Sequence, residues 1–147
     1  MKYWWRYLFV VAWMVVIFRF STEAGDASGG RSDIIVNWLQ GIGVPGSRET
    51  LGFLVRKAAH MTEYAVLALL SFYALRAHIE RGGALLWSFG IAVLYAISDE
   101  IHQLFVPGRT GSPRDVIIDA LGAAIGLALA AWFSRRREQA RNTSRPD

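Results

Sequence analysis

The sequence predicts an all-α membrane protein, a bundle of four transmembrane helices with an interfacial helix in the first loop. Two observations lead to this fold class. Apolar residues make up 53% of the 147 residues and charged residues 19%, whereas a soluble domain is about 45–50% apolar and about 25% charged. The apolar residues are also collected into blocks of the length that a spanning helix needs, about 20 residues, and the charged residues lie between them.

Composition also narrows the classes of function. The chain is long enough for one domain, and it contains no cysteine, which excludes disulfides, thiolate metal sites and cysteine nucleophiles. The net charge is +4, but many of the basic residues stand in the tail 135–147, directly after an apolar block. Basic residues at that place are typical of a cytoplasmic membrane anchor, so nucleic acid is not expected as a partner.

The first predicted span covers residues 3–20. Its core is fully apolar, while Arg6 and Arg19 near its ends can extend their charged groups to the lipid headgroups. Residues 1–24 also resemble a secretory signal peptide, with a basic start and small residues near a cleavage site. The bulky, charged residues just before that site favour a retained span.

The first loop contains a short amphipathic segment. Residues 21–32 are rich in Gly, Ser and Asp, which predicts an irregular loop. Residues 33–43 then place apolar side chains on one helical face, at Ile34, Ile35, Trp38, Leu39 and Ile42. This segment is too short to cross a membrane, so it predicts a helix that lies at the interface.

Three further spans follow, at residues 58–75, 84–106 and 115–133. The first of them is expected to extend outward to about Glu49, and Pro107 and Gly108 end the next one. The last begins with a start signal in which Ser112 is the N-cap, Pro113 the first helical residue and Asp115 an acidic residue of the first turn. Residues 1–134 thus form a membrane domain, and residues 135–147 a basic tail.

The distribution of basic residues predicts the orientation. They are somewhat more numerous at the ends that share a side with the termini, and the tail is dense in arginine. We therefore expect a multi-pass protein of the bacterial cell membrane with cytoplasmic N- and C-termini.

The ionisable residues of the later spans collect at one membrane face. An even number of crossings separates the start of the second span, the end of the third and the start of the fourth, so these ends share a side. Their polar residues are Arg56, Lys57, His60, Glu63 and Tyr64, then Tyr95, Asp99, Glu100, His102 and Gln103, then Asp115 and Asp119. Glu100 stands to one side of its stripe. A charge exposed to lipid at mid-membrane costs about 2.5–3.5 kcal/mol, so these side chains are predicted to face each other or water.

Several chemistries fit this set of residues. His60, Glu63 and His102 have types that bind a metal, and either histidine, oriented by Asp99, could act as a general acid or base. The basic residues Arg56, Lys57, Arg109 and Arg114 could instead bind an anionic headgroup. In a structural alternative, these cations only neutralise the carboxylates, and Gly122 and Gly126 form a helix-packing motif. The sequence indicates no particular cofactor, since it contains no HExxH, GxSxG or P-loop motif.

These motifs resemble the VanZ-like family of small bacterial membrane proteins. The resemblance rests on Arg56-Lys57-x-x-His60-x-x-Glu63-Tyr64, on Ser98-Asp99-Glu100-x-His102-Gln103-x-Phe105-x-Pro107-Gly108-Arg109, on Asp115-x-x-x-Asp119-x-x-Gly122-x-x-x-Gly126 and, more weakly, on Ile17-Phe18-Arg19-Phe20-Ser21. It implies a four-helix protein of the cell envelope. The family's naming member is associated with low-level resistance to the glycopeptide antibiotic teicoplanin. Asp119 departs from the family's pattern, in which asparagine is frequent.

The leading functional expectation is a protein that binds an anionic lipid or a lipid-linked cell-wall precursor at the outer face of the membrane. The expected ligand-binding residues are Arg56, Lys57, Tyr64, Glu100, Gln103, Arg109, Asp115 and Asp119. A second hypothesis is a lipid-headgroup hydrolase or transferase with the catalytic residues His60, Glu63, Asp99 and His102. A third is a structural partner in an envelope complex. The lipid bilayer is a partner in all three.

Overall fold

The computed structural model describes residues 3–22 and 25–143, and this part of the chain contains helices and no strand. The helices are α1 (Trp5–Ser21), α2 (Gly25–Gly41), α3 (Arg48–Leu75), α4 (Arg81–Gln103) and α5 (Pro113–Thr143). The all-α class is therefore confirmed. Three helical segments are long and apolar enough to cross a membrane, namely α3, α4 and the Pro113–Arg136 part of α5. Helix α1 is shorter, with 17 residues.

Helix α3 lies at the centre of the bundle and contacts each of the other four helices. Its most extensive contact is with α5, where two glycines allow the backbones to approach closely. A Cβ atom on Gly122 would overlap the backbone of Met61, and one on Gly126 would press on the backbone of Ala65. The Gly122–Gly126 pair is thus a close-packing motif of the kind found between membrane helices.

Large apolar side chains also cover the outside of the bundle. Leu86 and Leu94 of α4 are 70% and 69% exposed, and Ile117 of α5 is 62% exposed. A soluble protein rarely exposes contiguous apolar surface of this kind, because its contact with water is unfavourable. The outer surface therefore suits a lipid environment.

Helix α1 is attached to the bundle by hydrogen bonds along its length. The indole N–H of Trp13 donates to the carbonyl oxygen of Glu63 at 2.9 Å, and the hydroxyl of Tyr95 donates to the carbonyl oxygen of Met14 at 2.6 Å. At the other end of the bundle, Arg6 donates to the carbonyl oxygen of Tyr73 at 3.1 Å. These contacts hold α1 against α3 and α4.

The first loop differs from its prediction. Residues 21–32 were expected to be irregular, but α2 begins at Gly25. Adding residues to a helix that is already formed costs little free energy. A glycine within a helix is only about 1 kcal/mol less favourable than an alanine. The predicted interfacial segment is the C-terminal half of this longer helix. Ile34 and Trp38 there are exposed, whereas Val36 is buried.

Helix α2 ends in a Schellman motif. The N–H of Gly43 donates to the carbonyl oxygen of Gln40, and that of Val44 donates to the carbonyl oxygen of Leu39, each at 3.0 Å. Gly43 has a φ of 85°, which residues with a Cβ atom rarely adopt. Glycine at this position therefore stops the helix.

The third predicted span also has a different end. It was expected to continue to Val106, but α4 ends at Gln103. A turn follows in which the N–H of Arg109 donates to the carbonyl oxygen of Val106 at 3.1 Å. Pro107 and Gly108 occupy its central positions, and Gly108 has a φ of 75°, as a type II turn requires. This turn places Arg109 at the end of the bundle where α3 and α5 begin.

The predicted start of the last helix is confirmed. The Ser112 hydroxyl accepts a hydrogen bond from the N–H of Arg114 at 3.2 Å, as an N-cap does. The helix does not end near Phe133, however, but continues to Thr143 into the basic tail. The tail begins with arginine, glutamate, glutamine and alanine, which all favour helix, so no local signal stops α5 at the end of its apolar part.

Candidate functional site

A cavity of about 240 Å³ lies at the end of the bundle that holds the predicted site residues. Residues from α1, α2, α3 and α4 and from the α4–α5 loop line it. Its polar lining residues are Ser21, Ser32, Arg56, His60, Glu63, Asp99 and Arg109, and its apolar ones are Ile17, Phe20, Ile35, Val55 and Ala59. We call this space the polar cavity. It combines two cations with two carboxylates and a histidine, beside an apolar wall.

His60 connects the polar cavity to a buried carboxylate. Its Nδ1 lies 3.6 Å from Oδ1 of Asp119, whose side chain is fully buried. The close approach of α5 to α3 at Gly122, less than one turn beyond Asp119, brings the two residues together. Neither Nδ1 of His60 nor either carboxylate oxygen of Asp119 has a hydrogen-bond partner among the described residues.

Glu100 completes this arrangement from α4. Its Oε2 accepts a hydrogen bond from the N–H of Ser112 at 2.7 Å, while its Oε1 is buried without a hydrogen-bond partner in the described chain. Potential ligand atoms of His60, Glu100 and Asp119 all lie within 4.8 Å of one another. We call these three residues the buried cluster. Among the described residues, they are the group of histidine and carboxylate side chains best placed to hold a metal ion.

Gly111 lets the α4–α5 loop reach Glu100. A Cβ atom at this position would overlap the carbonyl oxygen of Glu100 and crowd the side chain of Leu104. The close approach brings the next residue, Ser112, into hydrogen-bond distance of the Glu100 carboxylate. Ser112 therefore both caps α5 and holds one oxygen of the buried cluster.

Asp99 lines the polar cavity together with His60, but its carboxylate is not the one nearest to the histidine, and His102 lies outside the cavity. The carboxylate of Asp99 accepts a hydrogen bond from Gln103 at 3.1 Å. The ring of His102 lies against Phe18 of α1, with 4.7 Å between the ring centroids, and it does not line the polar cavity. The carboxylate beside His60 is thus Asp119 and not Asp99.

The four basic residues also differ in their surroundings. Lys57 forms an ion pair with Asp115, with 2.5 Å between Nζ and Oδ1. Arg109 lines the polar cavity and donates to the carbonyl oxygen of Phe20 at 3.0 Å. Arg56 lines the cavity from α3 and is exposed, and Arg114 is exposed outside it. An anion in the cavity would therefore meet Arg56 and Arg109, whereas Lys57 is already neutralised.

Tyr64 lies in the core of the bundle. Its side chain is fully buried, its ring centroid is 6.5 Å from that of Tyr95, and its hydroxyl has no hydrogen-bond partner among the described residues. Neither Tyr64 nor Gln103 lines the polar cavity, and Asp115 lies outside it in the pair with Lys57. The structure thus brings part of the predicted ligand set to the cavity, whereas Tyr64, Gln103 and Asp115 do not line it.

Sequence reasoning missed the contributions of α1 and α2 to the cavity. Ile17, Phe20 and Ser21 come from α1, and Ser32 and Ile35 from α2. An apolar span carries no chemical signal for such a role. The one available hint was the segment 17–21, which belongs to the family-like motifs at the end of the first span.

A second, apolar groove of about 470 Å³ lies between α4 and α5. Its lining residues include Ile97, Ile101, Leu104, Val116 and Ile117, together with Glu100. Glu100 thus belongs both to this groove and to the buried cluster.

The comparison with protein-family models agrees with the sequence motifs. A family model described as VanZ/LLP1 matches residues 5–134. The matched region includes every residue that lines the polar cavity and all three members of the buried cluster. Comparison with curated proteins and with solved structures gave no match.

Proposed function

The chain belongs to the VanZ/LLP1 family, and from that premise we propose that its polar cavity binds the anionic headgroup of a membrane lipid or of a lipid-linked cell-wall precursor. The observation that carries this proposal is the position of Arg56 and Arg109, which both line the cavity. A guanidinium group presents several N–H donors in a plane and can bind two oxygens of a phosphate at once. Hydrogen bonds between charged groups are stronger than those between neutral groups, and this holds in a partly buried site.

The size and lining of the cavity support a headgroup as the ligand. Its volume is about 240 Å³. Pockets that enclose a drug-sized molecule usually have volumes of about 300–1,000 Å³, so this cavity suits a lipid headgroup without the hydrocarbon chains. Ile17, Phe20 and Ile35 provide an apolar wall for the adjoining part of the lipid. Glu63 and Asp99 can accept hydrogen bonds from hydroxyl or amine groups of the same headgroup.

The proposal includes an arrangement in the membrane. Helix α1 acts as a fourth span, because its 17 apolar-rich residues reach the lower end of the usual length of about 17–25 residues. Helix α2 lies at the interface with Ile34 and Trp38 towards the lipid. The N- and C-termini and the basic tail lie in the cytoplasm of a bacterial cell, and the polar cavity lies at the outer face.

Lipid that remains bound after purification tests the proposal. The wild-type protein is expected to retain an anionic phospholipid, measured by native mass spectrometry, and Arg109→Ala is expected to lose it while remaining folded. Arg76→Ala is the matched control, because Arg76 is an exposed arginine at the other end of α3. Anionic lipid retained equally by a folded Arg109→Ala variant would count against the proposal.

A second candidate function is a headgroup hydrolase or transferase. It is favoured by His60, which lines the polar cavity and has Nδ1 3.6 Å from the buried carboxylate of Asp119. A histidine beside a carboxylate can accept a proton from an attacking water or hydroxyl group. In that case His60→Gln abolishes turnover of a phospholipid headgroup but leaves lipid retention intact. Equal turnover in both proteins excludes this role for His60.

The family assignment extends the proposal to the cell envelope. If the cavity binds a lipid-linked precursor at the outer face, expression of the protein changes the amount of that precursor available to the glycopeptide teicoplanin. We expect the minimal inhibitory concentration of teicoplanin to rise on expression, and to rise less with Arg56→Ala. An equal rise in the minimal inhibitory concentration with the wild-type protein and with Arg56→Ala would show that the resistance does not depend on anion binding in the cavity.

A further inference from the structure

We propose that the buried cluster of His60, Glu100 and Asp119 binds one divalent first-row transition-metal cation, such as Zn²⁺ or Mn²⁺. One imidazole nitrogen and two carboxylates form a donor set that suits these ions. The three residues come from α3, α4 and α5, so the cation would join the three helices at one point.

The donor atoms of the cluster lack other partners. Nδ1 of His60, Oε1 of Glu100 and both carboxylate oxygens of Asp119 are buried and form no hydrogen bond within the described residues. Native proteins satisfy almost all buried polar atoms, because an unsatisfied one costs about 1–3 kcal/mol. Four such atoms lie on three converging side chains. A single metal cation that accepts lone pairs from all three side chains would satisfy them.

The spacing of these atoms is compatible with one cation. Ligand bonds to zinc are about 2.0–2.2 Å long, which separates two tetrahedral ligands by about 3.3 Å. Nδ1 of His60 and Oδ1 of Asp119 are 3.6 Å apart. All three side chains have a ligand atom within 4.8 Å of the others, so a small rotation of the Glu100 side chain would complete the set.

The charges around the cluster also favour a cation. Glu100 and Asp119 are both buried, and the nearby lysine, Lys57, is already paired with Asp115. The other charged groups that line the polar cavity with His60 are the carboxylates Glu63 and Asp99 and the two arginines Arg56 and Arg109. A dication would balance the two buried carboxylates, which a protonated His60 alone would leave with a net negative charge.

The donor set differs from the one that sequence spacing suggested. His60, Glu63 and His102 were the metal-type residues of the sequence, but His102 lies against Phe18 and Glu63 is not in the cluster. Metal binding is independent of headgroup binding, because it uses none of the arginines. Three protein ligands would leave at least one coordination position of a tetrahedral ion for water.

Metal titration of the purified full-length protein tests the inference. After removal of metal by a chelator, we expect one equivalent of Zn²⁺ or Mn²⁺ to bind, measured by isothermal titration calorimetry and elemental analysis, and to raise the thermal midpoint. Glu100→Gln and His60→Gln should weaken the affinity at least tenfold. His102→Gln is the matched control, since Nε2 of His102 is also buried without a hydrogen-bond partner in the described chain but lies outside the cluster.

The outcomes separate this inference from headgroup binding. Arg56→Ala should lose anionic lipid but keep the full affinity for metal. No stoichiometric binding of either ion to the wild-type protein would overturn the inference, as would equal affinities in Glu100→Gln, His60→Gln and His102→Gln. If one cluster variant does not fold, the metal affinity of the other variant and the metal-dependent shift of the wild-type thermal midpoint still test whether the cluster binds metal.

Discussion

Oδ1 of Asp119 lies 3.6 Å from Nδ1 of His60, and the packing of two glycines against α3 explains why. Gly122 follows Asp119 by three residues and lies on the backbone of Met61, the neighbour of His60. With a larger residue at Gly122, α5 would move outward and Asp119 would move away from His60. A helix-packing motif thus sets the geometry of the candidate site.

Gly122→Ala is therefore expected to destabilise the protein. Its new Cβ atom would overlap backbone atoms of Met61, and overpacking of this kind costs about 1–3 kcal/mol. Gly90→Ala is the matched control, because it lies in α4 with no atom within 4 Å of the added Cβ. Thermal unfolding in detergent should show a lower midpoint for Gly122→Ala alone. Equal midpoints would contradict the close contact between α3 and α5.

The ion pair between Lys57 and Asp115 is expected to contribute to stability. The two side chains are 22% and 18% exposed, so solvent screens their attraction less than at the surface. A double-mutant cycle with alanine at both positions should give a coupling free energy of about 1 kcal/mol or more. The pair of Arg48 and Asp33 is the control, since both side chains are 55% exposed and such pairs contribute about 0–1 kcal/mol. A smaller coupling for the Lys57 pair than for this control would show that partial burial adds nothing.

Local signals in the sequence predicted the elements better than the contacts between them. The Ser112 cap is a short-range pattern, and the structure confirms it. Glu100 was placed to one side of its stripe because helical spacing describes only its own helix. Its position in the buried cluster depends on how α5 and the loop at Gly111 pack against α4, which no single-helix pattern contains.

The same limit applies to the carboxylate beside His60. Asp99 was the expected partner, because it stands in the polar stripe of the third span. The packing of α5 places Asp119 there instead, and Asp99 accepts a hydrogen bond from Gln103. The early start of α2 was missed for a different reason, since glycine and serine weaken a helix without preventing its extension.

The proposed orientation predicts which loops an impermeant reagent can reach. The chain has no cysteine, so single cysteines can be labelled without background. We expect a maleimide that does not cross membranes to label Thr110→Cys in intact cells, because Thr110 is exposed and the proposed orientation puts the α4–α5 loop outside the cell. Gly82→Cys, at the exposed start of α4, should be labelled only after lysis. The reverse pattern would invert the proposed topology.

The attachment of α1 predicts an effect of Tyr95→Phe. This change removes the hydroxyl that donates to the carbonyl oxygen of Met14 at 2.6 Å, and loss of such a hydrogen bond costs about 1 kcal/mol. Since α1 lines the polar cavity, lipid retention should fall together with the thermal midpoint. Tyr73→Phe, at an exposed tyrosine whose hydroxyl forms no hydrogen bond in the described structure, should change neither quantity. Identical behaviour of the two variants would mean that this bond does not hold α1.

The most direct test of headgroup binding is the equilibrium affinity of the purified protein for two short-chain lipids that differ only in headgroup, phosphatidylglycerol and phosphatidylcholine. We expect the wild-type protein to bind phosphatidylglycerol at least about tenfold more tightly, a difference of about 1.4 kcal/mol, because Arg56 and Arg109 in the cavity would repel the choline cation that only phosphatidylcholine carries. Arg56→Ala should lose this preference, and Arg76→Ala should keep it. Equal affinities for the two lipids in the wild-type protein, or an unchanged preference in Arg56→Ala, would contradict anion binding in the polar cavity.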